Sequence, residues 1–102
     1  MRFLVEAYLP TETGNSAILD GSLMKKIQGA VQTLKPESVY FTVKEGQRTM
    51  LAVCNIQSED QFPALLEGLW LDFKADIRVY PVMNTSDLEK AAPHIQKFAT
   101  KK

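Results

Sequence analysis

The sequence predicts an α+β fold: a four-stranded antiparallel sheet built in the order β-α-β-β-α-β, with its helices on one face and a further helix at the C-terminus. Two observations carry this. Four segments, Arg2 to Pro10, Ser38 to Lys44, Gln47 to Ile56 and Ala75 to Val82, alternate apolar and polar residues with the period of two that marks a half-buried strand. Between them lie two stretches whose apolar residues recur at helical spacing. That order leaves one sheet face under the helices and the other without cover.

In the first segment Phe3, Val5, Ala7 and Leu9 form the apolar row against Arg2, Leu4, Glu6 and Tyr8. Pro10 ends the strand, and the polar run Thr11 to Asn15 reads as a loop, followed by one helical turn through Leu19. Leu23, Ile27, Ala30, Val31 and Leu34 then make a helical stripe, with Asp20 or Ser22 available as the cap. Pro36 closes this helix, because the residue before a proline is pushed out of the α region. Two strands follow as a hairpin about Glu45-Gly46, where glycine tolerates the positive φ of a tight turn. A two-residue loop sets Phe41 opposite Met50 and Tyr40 opposite Leu51, whereas a three-residue loop with a bulge turns the third strand over. The first register is preferred, since Met50, Ala52 and Cys54 then join the apolar row of Val39 and Phe41.

The second helix carries Phe62, Leu65, Leu66, Leu69, Trp70 and Phe73, and Ser58 with Gln61 three residues on has the form of a capping box. Pro63 falls in its first turn, where a missing donor costs least. In the last strand Ile77 and Val79 oppose Asp76, Arg78 and Tyr80, and Pro81 marks it as an edge strand. Asn84, Thr85 and Ser86 offer caps for a third helix with Leu88, Ala91, Ile95 and Phe98, broken or kinked at Pro93.

At 102 residues the chain is expected to form one domain with one modest core. Its 45% hydrophobic and 24% charged content is that of an ordinary globular protein. Twelve Lys plus Arg balance twelve Asp plus Glu, so no bulk field draws it to nucleic acid or anionic lipid. Met1 leads straight into a strand and no apolar run approaches the roughly 20 residues of a membrane helix. With its single Cys54, the chain is expected to be cytoplasmic, with neither nucleic-acid nor membrane partners.

Beneath the helices' apolar rows, the other sheet face would carry Leu4, Glu6, Tyr8, Tyr40, Thr42, Leu51, Val53, Arg78 and Tyr80. So aromatic a surface resembles an interface more than a solvated face. Pairing of the first and fourth strands with Glu6 opposite Arg78 also sets Tyr8 near Asp76, so opposite charges sit mid-face and are expected to pair when covered.

The order of elements, the Phe62 to Trp70 helix, the strand Ile77-Arg78-Val79-Tyr80-Pro81-Val82 and the short C-terminal helix resemble the dimeric α/β-barrel superfamily of ferredoxin-like folds. Among its small bacterial members, the layout resembles the muconolactone isomerase group. The resemblance covers nearly the whole chain as a pattern and rests on topology, without a diagnostic motif. It implies a homodimer whose sheets pack face to face into a barrel. It also implies an activity drawn from a varied set: isomerases, cofactor-free monooxygenases of aromatic polyketides, haem-degrading enzymes and proteins without known activity. The haem-handling branches rely on a well-placed histidine, and the only one here, His94, lies in the terminal helix. No cofactor is expected.

Glu6 and Arg78 are the candidate catalytic residues, although a structural interface pair is the plainer reading of them. Tyr8, Tyr40, Trp70 and Tyr80 are the candidate substrate-binding residues, lining a cleft between sheet and helices. Cys54 reads as a buried inert thiol, His94 as a solvent-facing or packing residue, and Lys25-Lys26 and Lys101-Lys102 as solvated charge. Metal binding is not expected, since the ligand spacings of a zinc site are missing, and no Gly-rich loop cradles phosphate. Two functions follow as expectations: a binding protein or cofactor-independent enzyme for a small apolar or aromatic molecule, or a structural or regulatory homodimer without chemistry.

Overall fold

A computed structural model describes residues 1–100; the Lys101-Lys102 pair lies outside the described residues. The chain forms β1 (Arg2–Leu9), α1 (Thr11–Leu19), α2 (Leu23–Leu34), β2 (Ser38–Lys44), β3 (Gln47–Asn55), α3 (Phe62–Phe73), β4 (Asp76–Pro81) and α4 (Thr85–Gln96), with 3₁₀ turns at Glu59–Gln61 and Lys97–Thr100. The four strands make one antiparallel sheet in the order β2-β3-β1-β4. This order is compatible with the ferredoxin-like arrangement, and it places β4, with Pro81, at an edge.

Register follows the apolar rows. Val5 opposes Ala52 and Val79, Ala7 opposes Met50 and Ile77, and the hairpin sets Phe41 opposite Met50 across the two-residue Glu45-Gly46 turn. Both turn residues adopt positive φ, 51° and 75°. The core lies where Val5, Ala7, Met50, Ala52 and Cys54 meet Leu34 of α2 and Leu66, Leu69 and Phe73 of α3. Burial of each large side chain there contributes roughly 1.5–3 kcal/mol. Both helices end on a residue in the left-handed conformation, Lys35 (φ 45°) and Lys74 (φ 52°), which satisfies their last carbonyls.

Three local features depart from the sequence-based expectations. The segment expected as a loop with one turn is the nine-residue helix α1. It has no apolar stripe; Ala17 and Gly14 alone are buried, and packing of Gly14 against the sheet sustains the helix in place of periodicity. The Ser58–Gln61 capping box does not form. Ser58 Oγ instead donates to Asp60, Gln61 Oε1 accepts from the Gln57 amide at 2.9 Å, and a 3₁₀ turn precedes α3. Finally, of the two outcomes expected at Pro93, a break and a kink, the break does not occur: the helix carries Pro93 inside it and continues to Gln96. Its start is the strongest in the molecule: the Asn84 side chain accepts from the Asp87 amide at 2.8 Å while Asp87 accepts from the Asn84 amide at 3.1 Å.

Arg2 ties the base of α4 to the sheet through Asp87 at 3.0 Å. Beyond that anchor the helix buries none of its residues. The molecule extends 61 × 28 × 18 Å, and its radius of gyration is 17.1 Å, against about 13 Å for a compact chain of 100 residues. Among the described residues no helix is long and apolar enough to cross a membrane.

Candidate functional site

The two faces of the sheet carry different chemistry. On the face turned away from the core cluster, Tyr8 is the central residue of a polar group. Its ring is covered by the Arg78 guanidinium, 4.5 Å from the ring centroid, and flanked by Lys44 Nζ at 5.8 Å. Its hydroxyl donates to Glu6 Oε1 at 2.9 Å, and Lys44 Nζ donates to Glu6 Oε2 at 3.1 Å. Tyr8 is only 3% exposed and Glu6 8%, so the carboxylate keeps its charge through these two donors. The hydrogen bonds from Lys44 and Tyr8 hold its pKa below the ordinary carboxylate value, against the opposing effect of burial. Lys44 is raised for the same reason.

Glu6 and Arg78 are cross-strand partners as expected, but their charges pair elsewhere. Glu6 is committed to Lys44, and Arg78 Nη2 reaches Asp76 at 3.2 Å. The reason is steric: the Tyr8 ring occupies the space under the guanidinium. Lys44 was not among the residues expected here. It stands two positions beyond Thr42 on the same side of β2, so the hairpin register alone brings its long side chain over Tyr8.

The cleft lies on the other face. A cavity of about 540 Å³ opens between α2 and the β2–β3 hairpin, walled by Leu9, Ile27, Ala30, Phe41, Met50 and Phe73. It exists because β2 is an edge strand that the helices do not reach: Phe41 and Val43 on its inner side remain exposed. The residues expected to line such a cleft do not line this one. Tyr8, Tyr40 and Tyr80 point to the opposite sheet face with Glu6 and Arg78, where Tyr40 is 67% exposed, and Trp70 stands half-exposed on α3. Period-two alternation turns the side chains of Tyr8, Tyr40 and Tyr80 away from the helices.

Among the described residues one cation reaches the cleft. Arg48 belongs to the apolar row of Leu9, Val43 and Met50, and its Nη2 donates to Asn15 Oδ1 of α1 at 3.1 Å. Gly14 makes room for it, since a Cβ there would collide with the guanidinium and come within 3.1 Å of the Leu9 side chain. The cue in the sequence was a single charge within an apolar row.

Cys54 is buried in the core, where loss of hydration pushes its thiol pKa up. His94 is exposed near the end of α4. Among the described residues no three His, Cys, Asp or Glu side chains gather as a metal-ligand set. Comparison of the sequence with protein-family models and with curated proteins gives no match.

Proposed function

We propose that this chain is a small-molecule-binding protein of ferredoxin-like topology, acting as a homodimer, with its ligand held in the cleft between α2 and the hairpin. The observation that carries this reading is the cleft itself. Its volume, about 540 Å³, falls within the roughly 300–1,000 Å³ of small-molecule sites. Its walls are aliphatic and aromatic, which suits an apolar or aromatic body.

Catalysis by Glu6 and Arg78 is the weaker alternative. A general base works best with a pKa near the working pH, and Glu6 is displaced in the other direction by donors that already occupy both of its oxygens. The geometry suits a polar clamp that stiffens the open sheet face. A dimer without chemistry is favoured by two observations, the exposure of Tyr40 and Tyr80 on that face and the unburied α4. In that second reading the cleft holds nothing.

Calorimetric titration with decanol separates the two. Saturable binding to the wild type that is lost in Ala30→Phe, a variant that fills the cleft from α2, is the expected result. Absence of binding to the wild type would leave the structural dimer as the better reading.

A further inference from the structure

We propose that Arg48 makes the cleft selective for amphipathic monocarboxylates, with the carboxylate on the guanidinium and the apolar body beneath β2. This rests on the reading of the cleft as a ligand site and adds the chemical class of the ligand.

Three observations converge. First, the chain has three arginines, and the other two are matched by carboxylates: Arg2 by Glu37 and Asp87, Arg78 by Asp76. Among the described residues Arg48 has no such match, and its one hydrogen bond goes to a neutral amide oxygen. Second, Arg48 borders a cavity whose other walls are almost wholly apolar. Among the described residues Arg48 is the charged anchor at that cavity for an anion, and its fork of donors matches a carboxylate. Third, the guanidinium is oriented from α1: its Nη2 donates to Asn15 Oδ1, and it lies against Gly14.

Charge balance strengthens the case. With a formal net charge of zero, the molecule offers no general attraction for anions. A preference for carboxylates must therefore come from a local group. The apolar walls set the rest of the ligand, since they offer no partner for a second charge or a run of hydroxyls, which would be desolvated without compensation. Dicarboxylates, sugars and nucleotides are disfavoured on that ground.

The test uses two matched pairs below their aggregation limits, decanoate with decanol and hydrocinnamate with its alcohol, titrated into the wild type and Arg48→Gln. In the wild type each carboxylate is expected to bind about tenfold or more tightly than its alcohol. Arg48→Gln is expected to remove that margin while leaving alcohol binding in place. The Arg48 Nε–Hε resonance should move with the carboxylates and not with the alcohols, which decides the matter even if Arg48→Gln fails to fold. Equal binding of acid and alcohol to the wild type, with the Arg48 resonance unmoved, would overturn the proposal and leave the cleft as an apolar site. Failure of all four compounds to bind would instead remove the cleft reading, and the proposal with it.

Discussion

Replacing Glu6 by Gln removes the ionic partner of Lys44 and leaves the Tyr8 hydroxyl with an amide oxygen. Loss of a charge-assisted bond to a buried carboxylate is expected to cost about 1–2 kcal/mol, toward the lower end of such losses because Lys44 is half-exposed and can rehydrate. The cost depends on pH. Glu6 in the folded protein titrates below its ordinary value of 4.5, so its contribution is fully present above that value and lost as the pH falls through the lowered folded value. Urea unfolding of wild type and Glu6→Gln between pH 7 and pH 3 should therefore show midpoints that differ at neutral pH and converge in acid. A constant difference across the range would contradict the role given to the carboxylate. At this scale the sequence was only partly legible. The alternation placed Glu6, Tyr8 and Arg78 on one face and set Glu6 across from Arg78, but the choice of Lys44 as ion partner depends on side-chain reach and on the volume of the Tyr8 ring. Neither is visible in spacing.

Elements with strong periodicity were legible to within a residue or two at each end. The four strands and α2 follow from alternation, helical stripes and the prolines and glycines between them. The element that was missed, α1, lacks a stripe, and its position is set by a tertiary contact, Gly14 against Arg48 and Leu9. The start of α3 was misread because the Ser58 hydroxyl donates to Asp60 and the Gln61 amide donates to the Ser58 carbonyl, which leaves neither bond of the expected reciprocal cap. The hairpin turn carries a removable strain: Glu45 occupies the left-handed region at φ 51°. Asn tolerates that region better, and Asn-Gly is the preferred pair for such a two-residue turn. Glu45→Asn is expected to stabilise the protein by about 0.5–1 kcal/mol, read as a higher urea midpoint with an unchanged slope. An unchanged or lower midpoint would show that Glu45 compensates its backbone through contacts of its own. Ligand affinity should not move, since the turn lies outside the cleft lining.

At the scale of the whole molecule, α4 is out of place for a single subunit. A twelve-residue helix is marginal in water without packing, yet this one presents Leu88, Ile95 and the following Phe98 without burying any of them. Two sheet faces pressed together, each about 25 by 19 Å from strand length and spacing, cover roughly 950 Å² between them. A stable interface buries about 1,200–2,000 Å², so a homodimer needs a further contribution, and α4 is the apolar surface available to supply it. Sedimentation velocity at micromolar concentration should give the mass of a dimer for the full chain. Ending the chain after Met83 should leave the sheet folded and shift the mass toward a monomer. A full-length monomer whose tyrosine face stays hydrated would remove the dimer.

If the cleft between α2 and the hairpin holds a small apolar ligand, a methyl NMR titration with decanol reports it directly. The expected result is saturable movement of the Leu9, Ile27 and Met50 methyl signals, with those of Leu4 and Val53 on the opposite sheet face unmoved. Movement confined to Leu4 and Val53, or no saturable movement at all, would contradict it.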